Sequence, residues 1–532
     1  MTDMMPWKKK KLIRKITEAF GKAPERDYYP GDMEGIRSFF DACRENGRDL
    51  FYLDDTTWND LDLDDLYRKL NACRCTAGEQ YLYYMLRRPM DRETFGKQKG
   101  LIRLAEEDSA LRLKVQLLLD RIGISNVDMT SVFHPKETSS FWLFVYLFMG
   151  LLMLGSVFAA VINLKFIFIP VVLLAVNCFF HEYRRIRCEH EIRRVNYCVS
   201  LALSLYRMRK WKNPELDRYF SGAYAHLDRM KPILRSGPVL SAINSDPFQA
   251  AMMNIFFTDL IAFEILKKRI AKYHEHFLAV HEAVGQIDAS IAIASCRACP
   301  GTRCEPEIDF DADRPYVSAK GVRHPMLPDP VPNDFITEKP ILITGSNASG
   351  KSTYLRSSVL CALMAQTVCT CACEEYKGSP FRIYTSIALS DDLLAGESYY
   401  IAEIRSLKRI LDEQEKEGFV LCALDEVLRG TNTIERIAAS AEILKALNRP
   451  GTLCLVATHD AELCALCAGE YDLAHFEETV SDTEISFDYQ LKPGPAETRN
   501  AIHLLKLMGF DDEIVKSAHA RADSYVKTGK WA

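Results

Sequence analysis

The chain has no surplus of basic charge. Its 67 Lys and Arg are outnumbered by 72 Asp and Glu, for a formal net charge of -5, so nothing draws the whole molecule toward nucleic acid or an anionic membrane. Any such binding has to come from local patches. Internal repeats and low-complexity stretches are also missing, which excludes solenoids and arrays. No apolar leader of the secretory kind lies near Met1, so the soluble parts are expected in a reducing cytosol where disulfides do not persist. The seventeen cysteines are then read as thiols, and those inside apolar runs, such as Cys422 and Cys454, as small hydrophobes. No second CxxC completes a metal site either. Cys296, Cys299 and Cys304 offer three ligands with no obvious fourth, which leaves zinc and ordinary loop or core thiols as open readings.

What is present is enough apolar material for two or three domains: 532 residues, 48% hydrophobic and 26% charged. Phe141 to Ile162 is a run of 22 residues without a charge, long enough to span a bilayer once. Asn163, Leu164 and Lys165 separate it from a second apolar run, Phe166 to Phe180, weakened by Pro170 and Asn177. The two predict a helical hairpin with both ends on one side. Arg184, Arg185, Arg187, Arg193 and Arg194 follow at once, which places that side in the cytoplasm by the positive-inside tendency. The alternative is a hydrophobic helix pair buried in a soluble core or partner. At the other end of the scale, Trp7, Lys8 to Lys11, Leu12, Ile13, Ile16 and Phe20 fit either a basic amphipathic helix on anionic lipid or a solvated tail.

These features divide the chain into a basic N-terminal segment (1–45), a helical first part (46–140) in which leucines recur at helical spacing, the hairpin (141–180), and a second helical part (181–305). From 306 to 532 short β-rich runs alternate with helical patterns, which predicts an α/β domain with a mainly parallel sheet.

Three strand ends in that last region carry the chemistry. The strand Ile341-Leu342-Ile343 leads into Gly345, Ser346, Asn347, Ala348, Ser349, Gly350, Lys351 and Ser352, a phosphate-binding G-x-x-x-x-G-K-[ST] pattern followed by Thr353 and a helix. Its glycines let backbone N–H groups wrap the phosphates of ATP, Lys351 adds positive charge, and the Ser352 hydroxyl reaches Mg²⁺. The buried strand Phe419 to Leu424 ends in Asp425 and Glu426. Alone that pair reads as a cap; beside a phosphate loop Asp425 becomes the carboxylate on the Mg²⁺ side and Glu426 the base that orients water. A third strand, Leu453 to Ala457, ends in Thr458-His459-Asp460, which puts an imidazole at the same sheet edge, either to sense the γ-phosphate or to hold the water.

Together with Arg323-His324-Pro325 and Asn333-Asp334, the run Ile343 to Thr353 resembles the ATPase domain of the MutS family. So do Asp425-Glu426-Val427-Leu428-Arg429-Gly430-Thr431-Asn432 and Ala457-Thr458-His459-Asp460-Ala461-Glu462-Leu463. Leu394 to Glu403 is similar to that family's signature helix start, and the resemblance implies that Ser398 faces ATP held by the opposite subunit, making a composite site in a homodimer. Without the resemblance Ser398 reads as a simple helix cap. Gln366, placed in the loop after the first helix, is either a relay of nucleotide state or a solvated side chain. Leu63-Asp64-Asp65-Leu66, Thr76-Ala77-Gly78-Glu79 and Tyr81 to Met90 look like the start of the family's helical core, and 501–520 like its terminal helix-turn-helix.

The fold class implied is an ABC-type P-loop ATPase domain at the C-terminus, preceded by an all-α MutS-like core that a transmembrane hairpin interrupts. Departures from the family bear on the task. No Phe-x-Glu wedge stands in a plausible setting, so mismatch reading is not expected, and no aromatic precedes Asn333 to stack adenine. The hairpin stands roughly where the long lever helices would begin, and the basic stretch Lys267, Lys268, Arg269 and Lys272 reads better as a solvated helix face than as a phosphate contact. The expectation is a cell-membrane-tethered, cytoplasm-facing homodimer that hydrolyses ATP with Mg²⁺ and acts on DNA or branched nucleic acid. The rival is a mechanoenzyme that moves a protein or lipid partner without nucleic acid.

Overall fold

The structure, a computed structural model, describes residues 6–47, 50–125, 129–135, 139–235, 247–346, 349–387, 399–480, 485–496, 502, 505 and 509–528. Asn347, Ala348 and Ser398 lie outside the described residues, as does most of the first half of the expected terminal helix-turn-helix. The chain divides into two compact units, 1–50 with 70–85 and 96–299, and 51–69 with 86–95 and 300–532.

The first unit is helical throughout its described residues. Its spine is the helix His274–Ala298, which is long and apolar enough to cross a membrane by composition, yet 83% of its apolar window is buried in the protein. A helix apolar all round that is covered by its own chain is a core helix. Two close approaches hold it. Asp288 is fully buried and its carboxylate accepts from the backbone N–H groups of Arg74 and Cys75, both at 2.9 Å, at the start of the helix Thr76–Arg87. A side chain at Gly78 would put its Cβ 2.2 Å from the same carboxylate oxygen, and one at Gly285 would meet the Ala77 carbonyl at 2.5 Å. The Thr76-Ala77-Gly78-Glu79 segment therefore needs its glycine so that Asp288 can reach the orphan donors of a helix start.

The apolar runs form the helices Phe141–Ile162 and Phe168–Arg187, joined by a single 3-10 turn. Only 28% and 11% of their apolar windows are buried within the protein, so the pair is not buried in this chain's own core. Phe144, Phe148, Leu151, Phe158, Val161 and Phe179 face outward and exposed. Three polar residues, Asn177, His181 and Arg184, take the opposite side. Asn177 donates to the Ile255 carbonyl at 2.9 Å, His181 meets the Asp259 carboxylate at 2.9 and 3.0 Å, and Arg184 donates to the Tyr146 hydroxyl at 2.9 Å. Tyr146, Phe257 and Leu260 make a small core there.

Twelve strands are described in the second unit: β1 (Glu307–Ile308), β2 (Val317–Val322), β3 (Asn333–Thr337), β4 (Ile341–Thr344), β5 (Glu375–Gly378), β6 (Phe381–Ser386), β7 (Phe419–Asp425), β8 (Thr452–Ala457), β9 (Asp472–His475), β10 (Glu478–Val480), β11 (Ile485–Phe487) and β12 (Lys492–Pro493). The central sheet runs β12-β9-β4-β8-β7-β6 and is parallel except at β12. Buried positions run unbroken through β4 and β8 and through nearly all of β7, as expected for strands covered on both faces. A second sheet, β1-β5-β2-β3, and the hairpin β10-β11 complete the unit.

The short helix Asp55–Asp60 also belongs to this unit, although its sequence reads as part of the helical segment 46–140. The reason lies at β6, an end strand of the central sheet. Asp60 accepts from the Thr385 hydroxyl at 2.7 Å and the Ile387 N–H at 2.9 Å, and the Thr57 hydroxyl accepts from the Thr385 N–H at 3.2 Å. The helix thereby satisfies donors of an edge strand that would otherwise be open to pairing.

Candidate nucleotide site

Strand register brings the three motifs together. Ile343 of β4 is paired with Ala457 of β8, and Ala457 with Asp425 of β7, so all three strands end in one row. The backbone continues that row past the strands: Thr458 N–H donates to the Ile343 carbonyl at 3.0 Å and Glu426 N–H to the Ala457 carbonyl at 2.9 Å. Because β8 lies between β4 and β7, His459 emerges between the glycine loop and the acids. This is the carboxyl edge where open α/β sheets bind ligands.

The loop after β4 turns into the helix Lys351–Thr367. Gly345 and Gly350 have φ of 146° and 107°, the region that favours glycine. A Cβ on Gly345 would lie 2.6 Å from the Phe476 carbonyl oxygen. The Lys351 ammonium donates to the carbonyls of Gly345 and Ser346 at 2.8 and 2.7 Å. Burial lowers its pKa, against the opposing pull of Asp425, Glu426 and Glu478. Ser346 donates its hydroxyl to Glu478 at 2.7 Å.

Ser352 Oγ donates to Asp425 Oδ2 at 2.5 Å, while Asp425 Oδ1 is buried with no hydrogen-bond partner. Burial raises the Asp425 pKa, and the Ser352 bond and Arg429 only partly offset it. An orphaned carboxylate oxygen beside a hydroxyl, next to a phosphate loop, fits the donor set that Mg²⁺ takes from protein when nucleotide phosphates and water complete its shell.

Glu426 has φ of 58°, an uncommon conformation for a residue with a side chain and one that clusters at functional sites. Its carboxylate is paired with both His459 and Arg429. Burial pushes its pKa up, but the His459 bond and charge and the Arg429 charge outweigh this and hold it below the usual range. The loop behind it is held by Glu403, whose buried carboxylate accepts from the Leu428 N–H. Glu403 belongs to the helix Tyr399–Glu413, which begins one residue after Ser398. The conformation of the acidic loop and the start of that helix are thus mechanically linked.

A cavity of about 460 Å³ opens beside these residues, bordered by Lys351, Ser352, Glu426, His324, Val331 and Tyr489. Tyr489 was not apparent in the sequence as a site residue, because nothing in its local pattern marks it. It has φ of 53°, stacks on Phe487 with ring centres 5.8 Å apart, and is held by Asn333, which donates to the Tyr489 carbonyl at 2.9 Å and accepts from Leu491 N–H at 2.8 Å. Gln366 is in the last turn of the Lys351–Thr367 helix rather than in the loop beyond it, and it is neither solvated nor at the cavity. It is buried and trades two bonds of 2.8 Å with the Phe381 backbone, which makes it a tie between that helix and β6.

The strand order, the glycine loop and the acid and histidine at neighbouring strand ends define a phosphate-loop nucleotide-binding domain. The family model described as MutS domain V matches residues 341–525. The chain is 36% identical over 203 residues to the DNA mismatch repair protein MutS of Thermus aquaticus, covering 37% of this chain and 25% of that protein. It is 31% identical over 268 residues to MutS of Natronomonas pharaonis, covering 48% and 30%. With the DNA mismatch repair protein MutS 2 of Haloarcula marismortui it shares 28% identity over 346 residues, covering 58% and 33%. Over residues 341–525 the chain is similar to MutS domain V. It spans between about a quarter and a third of the length of these relatives.

Proposed function

We propose that this chain is a membrane-tethered ATP hydrolase that works as a homodimer and acts on DNA, including branched forms, without reading mismatches. The observation that carries the hydrolase reading is that Lys351, Ser352 and Glu426 border one cavity at the carboxyl edge of a parallel sheet, with Asp425 bonded to Ser352 and His459 paired with Glu426 just behind them.

In this reading the N–H groups of the glycine loop and the Lys351 ammonium bind the β- and γ-phosphates of ATP, for which Lys351 exchanges its present loop carbonyls. Ser352 and Asp425 would hold Mg²⁺, which would supply positive charge to the phosphates. Glu426, kept ionised by His459 and Arg429, orients the attacking water and accepts its proton, while His459 holds the opposite side of that carboxylate. Tyr489 offers the base a ring to lie against. Ser398 of the second copy completes the γ-phosphate shell, and the Glu403 tie to the acidic loop couples that segment to the state of the nucleotide.

The outward apolar face of the helices Phe141–Ile162 and Phe168–Arg187 supports the tether. Their length matches a bilayer, Asn177 and His181 turn inward, and the arginines from Arg184 onward favour the cytoplasmic side. The names of the relatives support DNA as the ligand.

The test is ATP turnover by the detergent-solubilised chain with no DNA and with duplex, mismatched or branched DNA over a series of salt concentrations. Stimulation that falls steeply with salt and is no greater for the mismatch is expected, because phosphate contacts release counterions. Turnover indifferent to every nucleic acid would instead favour a mechanoenzyme acting on a protein or lipid through the hairpin.

A further inference from the structure

Four cysteines of the second unit converge away from the nucleotide cavity. Cys371 and Cys373 follow the phosphate-loop helix, Cys361 is on that helix, and Cys304 comes from the segment at the start of the unit. The sulfurs of Cys304, Cys371 and Cys373 all lie within 4.8 Å of one another. Cys304 Sγ is 3.4 Å from Cys373 Sγ, and Cys361 Sγ is 3.7 Å from Cys373 Sγ. Cys361 also contacts Cys371. The sequence suggested a different trio, Cys296 and Cys299 with Cys304; those two residues belong to the first unit, and the thiols gathered around Cys304 come from a segment that carries no CxxC.

We propose that Cys304, Cys361, Cys371 and Cys373 bind one zinc ion as a tetrahedral tetrathiolate. The spacing is the primary argument. With Zn–S bonds of about 2.3 Å, the sulfurs of a tetrahedral site stand roughly 3.8 Å apart, close to the 3.4 Å from Cys304 and the 3.7 Å from Cys361 to the shared neighbour Cys373; Cys361 stands outside the trio that lies mutually within 4.8 Å and joins it from the side of Cys373. A disulfide would need about 2.05 Å between sulfurs, and the four are separate thiols. The backbone is also built for it. Cys304 and Cys371 form an isolated antiparallel bridge with both N–H···O bonds at 3.0 Å, which fixes two ligands opposite each other, and a left-handed residue at Cys369 turns the chain out of the helix toward them.

Core packing alone does not account for the set. Small apolar side chains would fill the same space without weak S–H donors, and Cys304 is only half buried. Soft thiolate ligands in a closed four-coordinate arrangement select zinc among the divalent cations and leave no open position for catalysis. The role is structural. Cys361 is ten residues into the phosphate-loop helix, about 15 Å from Lys351 along its axis, so the ion would clamp the far end of the helix whose start grips nucleotide.

The full chain, purified in detergent after dialysis against a chelator, is expected to retain one zinc per chain by elemental analysis. A mercurial titration should release the metal in step with the modification of four thiols. Replacement by cobalt should give the intense sulfur-to-metal absorption of a tetrathiolate site. Cys304→Ser and Cys371→Ser should each lose most of the zinc, and Cys43→Ser should keep it. Wild-type protein that carries no zinc, that carries iron in its place, or that holds zinc released without those four thiols reacting would overturn the proposal. The wild-type measurements decide even if the serine variants fail to fold.

Discussion

Replacing Gly345 with alanine tests the nucleotide cradle through backbone geometry alone, without touching a charged group. Gly345 stands at φ of 146°, and an alanine Cβ there would lie 2.6 Å from the Phe476 carbonyl oxygen and 3.0 Å from Ser349 Oγ. Restoring an ordinary 3.4 Å contact means moving the loop or the end of β9 by roughly 0.8 Å. The carbonyl cannot give way easily, because the Phe476 N–H is bonded to the Thr344 carbonyl at 2.9 Å. The loop therefore relaxes to a different φ and its N–H groups turn away from the phosphates. Recovering the competent wrap costs about 1 to 3 kcal/mol, the usual range for a side chain held in a glycine-only conformation. At 1.4 kcal/mol per factor of ten, that is roughly 5- to 150-fold weaker ATP binding. Equilibrium titration with a fluorescent ATP analogue and Mg²⁺ reads it directly, and the thermal midpoint reports whether the fold survives. An unchanged midpoint with affinity within twofold of the parent would refute the argument that this glycine shapes the cradle.

Other outcomes follow from the same geometry. Glu426→Gln should cut ATP turnover by about 10²- to 10⁴-fold, the span for loss of a general base, while ATP binding persists and a dimer accumulates on size-exclusion; turnover at the parental rate would remove Glu426 from the role of base. Lys351→Ala should weaken nucleotide binding itself, as measured in the same titration. Gly78→Ala should cost about 3 to 6 kcal/mol, since a Cβ would drive Asp288 off two backbone donors, each worth about 1.5 to 3 kcal/mol; denaturant melts that coincide with the parent would count against it. Burial raises the Asp288 pKa from 3.8 to about 6 despite its two backbone bonds. Between those values the native state holds a proton that the unfolded chain has released, so stability falls as pH rises through this window, by about 3 kcal/mol in all. Asp288→Asn should flatten that slope in urea titrations at pH 4.5 and 7.

Local pattern was sufficient wherever one stretch of chain carries its own physical signature. Unbroken apolar runs at β4, β7 and β8 mark strands buried on both faces, and the residues just past them, Gly345, Asp425 and His459, follow from where those runs stop. Two apolar stretches separated by three residues could form little else but a hairpin. The same reasoning misplaced Gln366 by one turn, because helix ends are weakly marked in sequence and its two bonds to Phe381 hold the last turn closed.

Tertiary structure decided whatever depends on residues distant in the chain. Strand order set β8 between β4 and β7, and that alone brings His459 against Glu426. Asp60 was bound to an edge strand more than three hundred positions away, Tyr489 was turned to the cavity by Asn333, and Cys304 was brought to the thiols beyond the phosphate-loop helix. The physical reason is common to all four. Periodicity and propensity act over a few residues, whereas sheet register and side-chain hydrogen bonding join segments whose spacing along the chain carries no information about their distance in space.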